Sequence, residues 1–232
     1  MRKAGTMLAT ALVVGLALVS AAGASVEIRG LDTSGYPAVR LTVVSSKPVA
    51  QKPALAENGR VVTGLEAQNL GREKAVVLAL DRSQSMTGGA LSDAVAAARA
   101  FVDIKAAGDR LGLIAFGETA NEQSVLSSST GDLVTGLEAM QVDTHGGTAL
   151  YDAVVQAAHA LRSDPLAGRV IVLLTDGKNV GSGATLDDAV IAAHKAGAVV
   201  YAVGINGPQF DPAPLETLAG ETGGRYLLAG AS

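Results

Sequence analysis

The sequence has no cysteine and no tryptophan, and aromatic residues make up only 3% of it. Without cysteine there is no disulfide, no thiolate metal ligand, no cysteine nucleophile and no lipidated N-terminal cysteine. A chain of this kind must hold together by its core alone. With so few rings, that core has to be built from Val, Leu, Ile and Ala, which suits buried parallel strands and helices better than an all-β sandwich. Positive charge is also in short supply, since 18 Lys and Arg face 22 Asp and Glu. That balance excludes the basic footprint of a nucleic-acid or anionic-lipid binder. Beyond the N-terminal run, no apolar stretch approaches the length of a membrane span.

What is present is 232 residues, 48% of them hydrophobic, enough for one full α/β domain with a small appendage. The chain opens Met1-Arg2-Lys3, then runs from Met7 to Ala21 without a charged residue and reaches Ala22-Gly23-Ala24. This is the pattern of a secretory signal peptide over residues 1–24, cleaved after Ala24. The mature chain would then be secreted or extracytoplasmic, in the cell envelope, with no membrane span. Because the apolar run is only slightly short of a spanning helix, an uncleaved N-terminal anchor is the competing reading.

Residues 25–74 have a texture of their own. Val26-Glu27-Ile28-Arg29 and Val39-Arg40-Leu41-Thr42-Val43 alternate apolar and polar side chains, the period of a half-buried strand. Asp32-Thr33-Ser34-Gly35-Tyr36-Pro37 is turn material, and Glu57-Asn58-Gly59-Arg60 carries the Asn-Gly signal of a tight hairpin. A small antiparallel β segment is expected here.

From residue 75 to 232 short continuous apolar runs alternate with segments of helical period. Strands are expected at 75–80, 111–116, 169–174, 199–203 and 225–228, mostly with both faces buried. Leu91, Val95, Ala98 and Val102 share one helical face, as do Leu150, Val154, Ala158 and Leu161. A third helix, 186–196, has Thr185 and Asp188 as a capping-box pair and Gly197 at its end. Alternation of this kind predicts an α/β, Rossmann-like doubly wound sheet with helices on both faces. Ligands of such sheets collect at the carboxyl ends of the strands.

Those ends carry oxygen. Asp81-Arg82-Ser83-Gln84-Ser85 follows the first strand, and Thr175-Asp176-Gly177 follows the strand at 169–174. His145-Gly146-Gly147-Thr148 opens a helix, so that the Thr148 hydroxyl can project toward the same edge. Asp81, Ser83, Ser85, Thr148 and Asp176 form a set of hard oxygen donors without His or Cys. Such a set selects Mg²⁺, Mn²⁺ or Ca²⁺ over zinc or copper. Two carboxylates do not fill an octahedral shell, which suggests a site completed by the carboxylate of a partner.

These motifs resemble the metal-ion-dependent adhesion site of von Willebrand factor A domains of the bacterial exported type. The resemblance extends through Thr148-Ala149-Leu150-Tyr151-Asp152-Ala153 to Thr222-Gly223-Gly224-Arg225-Tyr226 and covers about residues 75–228. It implies a mainly parallel six-stranded sheet whose short antiparallel edge strand would be 123–126. It also implies Ser83, Ser85 and, in the ligand-ready form, Thr148 on the metal, with Asp81 and Asp176 acting largely through water. The implied activity is adhesion or assembly through an Asp or Glu carboxylate of a protein partner, not catalysis. The segment at 25–74 is similar to a β-rich segment that precedes such domains in bacterial surface proteins.

Each donor also has a plainer reading. Ser83 and Ser85 could be turn and cap residues, Thr148 an N-cap above a dipole-complementing Asp152, and Asp176-Gly177 a turn. His145 with Ser83 or Ser85 and Asp176 could be drawn as a hydrolase triad, although the nucleophile elbow Gly-x-Ser-x-Gly is absent. The same edge could also serve a metal-dependent phosphatase, or hold a static metal that braces an envelope complex. Gly147, His145, Lys178 and Asn179 are candidates for the ligand face; for Lys178 and Asn179 a solvated loop is the plainer account.

Overall fold

The computed structural model describes residues 16–18, 26–33, 36–45, 54–67, 73–205 and 210–229. Of the N-terminal apolar run it describes only Leu16–Leu18, so the expected cleavage after Ala24 lies outside the described residues, as do Ser34 and Gly35 of the first turn. Among the described residues no helix is long and apolar enough to cross a membrane.

The strands β1 (Leu16–Leu18), β2 (Val26–Asp32), β3 (Arg40–Ser45), β4 (Leu55–Glu57) and β5 (Arg60–Val61) precede β6 (Lys74–Asp81). There follow α1 (Ala90–Asp103), β7 (Arg110–Phe116), β8 (Ala120–Ser127), α2 (Gly131–Glu138) and α3 (Leu150–Arg162). The chain continues through β9 (Gly168–Thr175), α4 (Leu186–Ala196), β10 (Ala198–Ile205), α5 (Ala213–Thr222) and β11 (Arg225–Ala229). The described elements fall into two compact units, β1, β4 and β5 in one and the rest in the other.

In the smaller unit β4 pairs antiparallel with both β1 and β5. The β4–β5 turn is made by Asn58 and Gly59, at φ 50° and 79°, the left-handed pair that a two-residue hairpin requires. β2 and β3 form a two-stranded sheet that clusters with the larger unit. One reason is Arg40, whose guanidinium donates to the His194 carbonyl at 2.9 Å, near the C-terminus of α4, where a cation is favoured.

The larger unit is organised by a six-stranded sheet in the order β11-β10-β9-β6-β7-β8, parallel throughout except for the antiparallel edge strand β8. β6 and β7 are buried on both faces, as their unbroken apolar runs require. Alternate residues of β6 feed two cores. Ala75, Val77 and Ala79 pack with α3, α4 and α5, while Val76, Leu78 and Leu80 pack with α1 and α2. Each fully buried Val or Leu contributes about 1.5–3 kcal/mol, so the central strand anchors the domain from both sides. β10 alternates between buried and half-buried positions, and β11 at the edge is mostly exposed. From β6 the chain builds outward to β7 and β8, then crosses back to β9, β10 and β11. The strand order therefore reverses between β6 and β9, whose residues Leu80 and Leu174 stand side by side.

The predicted strands are present, most of them one or two residues longer than expected, and the edge strand is longer still at both ends. α4 has the predicted capping box, and Gly197 closes it at φ 65°. α2 and α5 are additions to the predicted elements.

Candidate functional site

The reversal of strand order places the end of β6 beside the end of β9. Asp81, the last residue of β6, turns the chain by accepting the Ser83 N–H at 2.8 Å. A 3-10 turn over Gln84–Met86 follows, held by the Met86 side chain, which is 0% exposed. Ser83 and Ser85 thereby bring their hydroxyls within 3.1 Å of each other, and Ser85 donates to Asp176 Oδ1 at 2.7 Å. Thr175 Oγ1 donates to Asp81 Oδ2 at 2.5 Å and accepts the Gly177 N–H at 3.1 Å, so it links the two strand ends.

Thr148 arrives from a different loop. Its backbone forms a two-way bridge with Val180, at 2.7 and 2.9 Å, and its side chain stands over Gly177. A Cβ added at Gly177 would lie 3.6 Å from Ser85 Oγ, 3.8 Å from Asp81 Oδ2 and 3.9 Å from Thr148 Cγ2. The glycine thus leaves open a small cradle ringed by the Ser85 hydroxyl, an Asp81 carboxylate oxygen and the Thr148 methyl group. The structure brings all five side chains to this edge. Asp81, Ser83, Thr148 and Asp176 are buried, and Ser85 is exposed at the rim.

The electrostatics of the cradle are unbalanced. Burial pushes the Asp81 carboxyl up to about 6; hydrogen bonds from Ser83 and Thr175 pull against this, and the neighbouring Asp176 charge adds to the rise. Among the described residues, neither Asp81 nor Asp176 has a Lys, Arg or His partner. Two buried carboxylates side by side without a cation are costly. No group of three or more His, Cys, Asp or Glu gathers among the described residues. The donors here are instead two carboxylates and three hydroxyls. These residues fit a hard divalent cation, which would supply the missing positive charge.

The plainer readings meet specific geometry. α1 is capped by Gly89 and α3 by Ala149, neither with a side-chain cap, so Ser83, Ser85 and Thr148 cap neither helix. Asp152 lies in the first turn of α3 and accepts the N–H groups of Gly183 and Ala184 at 2.9 and 2.8 Å. The hydrolase triad is not assembled. His145 Nδ1 sits 2.8 Å from Asp143 Oδ1, and Ser85 is bonded to Asp176.

The remaining candidates take separate places. Gly147 has φ 135°, and a Cβ there would come within 3.1 Å of the Glu118 backbone, so glycine is required. The His145 side chain is 74% exposed, and its pKa is raised by the hydrogen bond to Asp143 and by the charges of Asp143 and Glu118. Lys178 is exposed. Asn179 accepts from Ser182 Oγ and from the Tyr151 N–H, so it fastens its loop to α3 instead of facing outward. Two residues escape sequence reasoning. Thr175 is visible only as part of a motif, and Asp143 joins groups 25 and 61 residues away, a reach that no local pattern shows.

Residues 76–178 match the family model of the von Willebrand factor type A domain. Comparison with curated proteins gives no match. Among solved structures, the chain is similar to BatB from Bacteroides thetaiotaomicron, with 24% identity and a TM-score of 0.60 over 68% of this chain and 91% of that one. A von Willebrand factor type A protein from Catenulispora acidiphila is 21% identical, TM-score 0.58, over 76% of this chain and 40% of that one. Proximal thread matrix protein 1 from the mussel byssus, solved with a zinc-occupied MIDAS motif, is 22% identical, TM-score 0.58, over 69% of this chain and 42% of that one. At these identities the likeness establishes the fold. The larger unit has the Rossmann-like fold seen in von Willebrand factor A domains.

Proposed function

We propose that this protein is an exported, metal-dependent binding module that holds an acidic side chain of a partner protein through a divalent cation. The observation that carries the reading is the pair Asp81 and Asp176, two buried carboxylates at the strand-order reversal with no basic side chain beside them among the described residues. Asp81 and Asp176 would balance the ion's charge, and the hydroxyls of Ser83, Ser85 and Thr148 would add neutral oxygens. When bound, the cation supplies a Lewis-acidic position for one further oxygen. A partner's Asp or Glu carboxylate is the group that fits it.

Magnesium is the proposed physiological ion, with Mn²⁺ or Ca²⁺ as substitutes. The mussel protein with a zinc-occupied motif supports a divalent ion at this kind of site. The Ser85 hydroxyl donates to Asp176 and His145 pairs with Asp143, so a Ser85–His145–Asp176 triad is not the arrangement these side chains take. Export is supported by the basic opening Met1-Arg2-Lys3, the uncharged apolar run and the small residues up to Ala24.

The test is partner capture from envelope extract in magnesium and in chelator, comparing wild type with Asp81→Ala. Capture should require both the metal and Asp81. Capture that survives chelation and the substitution alike would contradict the reading.

A further inference from the structure

We propose that Asp143 is a positioning residue for the cation site, acting on it through the loop that carries Thr148. The inference rests on the metal-binding reading above and deepens it. The Asp143 side chain is 7% exposed and uses both oxygens. Oδ1 accepts the His145 N–H at 3.0 Å and stands 2.8 Å from His145 Nδ1, while Oδ2 accepts the Glu118 N–H at 3.2 Å and meets the Arg82 guanidinium at 3.5 Å. The Asp143 N–H donates to the Arg82 carbonyl at 2.6 Å. One residue therefore ties together the loop after β6, the loop after β7 and the segment leading to Thr148.

That segment needs an external anchor. Between Asp143 and Thr148 lie Thr144, His145, Gly146 and Gly147, and consecutive glycines leave the local chain with wide conformational freedom. Beyond Asp143 the segment is held by the Ala149 N–H on the Gly117 carbonyl at 2.7 Å and by the Thr148–Val180 bridge. Gly117 itself packs against Asp143, since a Cβ there would come 2.6 Å from Asp143 Oδ2 and 2.7 Å from Asp143 Cβ. The carboxylate and the glycine beneath it thus set where the segment starts, and the backbone bonds set where it ends.

The experiment is calorimetric titration of the full chain with Mg²⁺ for wild type, Asp143→Ala, Gly117→Ala, Thr148→Ala and the Asp143→Ala/Thr148→Ala pair. Asp143→Ala should weaken Mg²⁺ binding about ten-fold, the scale seen when outer supports of a metal site are removed. Gly117→Ala, which crowds the Asp143 carboxylate and strains the strand end whose carbonyl holds Ala149, should act in the same direction and carries the test if Asp143→Ala does not fold. In the Thr148→Ala background, Asp143→Ala should add less than about two-fold, because its route to the metal has been cut. Wild-type affinity in both Asp143→Ala and Gly117→Ala, or effects of Asp143→Ala and Thr148→Ala that multiply, would overturn the proposal. Absence of Mg²⁺ binding by the wild type would instead overturn the metal reading on which it rests.

Discussion

The two edges of the main sheet treat buried aspartate in opposite ways. At the edge where the parallel strands begin, Asp164 is paired with Arg110 at 2.7 Å and accepts the Leu166 N–H, while Arg169 spans the carbonyls of Asp164, Leu166 and Ala196. Asp109, on the same edge, accepts the N–H groups of Lys74 and Ala106. At the edge where those strands end, Asp81 and Asp176 lie together with hydroxyls and backbone N–H groups and, among the described residues, without a basic side chain in salt-bridge range. The first edge is satisfied internally and serves stability. The second is left incomplete by the protein's own side chains, and an incomplete buried charge is what an ion or ligand completes.

This contrast can be broken from either side. The largest effect is expected at the satisfied edge. Arg110→Ala leaves Asp164, whose side chain is 2% exposed, as an uncompensated buried charge. Stability measured by urea unfolding should fall by about 3 kcal/mol, with Mg²⁺ binding unchanged. At the open edge the sign reverses. Asp81→Asn removes the buried charge but gives up one of the two acceptors that Ser83 and Thr175 use. In chelator at pH 7 the variant should therefore be more stable than wild type by less than about 3 kcal/mol while losing Mg²⁺ binding. A variant less stable than wild type in chelator would show that Asp81 is already satisfied by the protein.

The pH dependence sharpens the same point. The Asp81 carboxyl is raised from 3.8 to about 6, so between those values the folded chain holds a proton that the unfolded chain releases. Its contribution to stability is complete below pH 3.8 and is lost as the pH rises through about 6. The stability difference between wild type and Asp81→Asn in chelator should therefore grow from pH 4 to pH 7, and magnesium should remove it. A smaller effect far from the site gives the baseline. Thr185→Ala deletes one half of the α4 capping box and should cost about 1 kcal/mol with Mg²⁺ affinity intact. Smallest of all, Arg99→Ala, which breaks an exposed pair with Glu138, should change stability by less than about 0.5 kcal/mol.

How far the sequence reveals these features depends on whether their causes are local. β6 and β7 are legible because unbroken apolar runs have no other place than the middle of a sheet. The α4 capping box is legible because Thr185 and Asp188 are three residues apart. The nearness of Asp81 to Asp176 follows once both are placed at the ends of strands that bury both faces. α2 is not legible, since eight residues with Leu133 and Leu137 as the only buried side chains make too short a pattern. α5 opens on Ala213-Pro214 and carries little amphipathic signal before Leu215 and Leu218. The roles of Asp143 and Thr175 are not legible for a different reason: partners of both are distant in the chain, and only the assembled loops bring them together.

The central claim is that the incomplete edge is completed by a divalent cation. Calorimetric titration of the wild-type chain and of Asp81→Asn with Mg²⁺ tests it most directly. Saturable binding at a single site in the wild type and none in the variant is the predicted result. No binding by the wild type, or equal binding by both, would contradict the account.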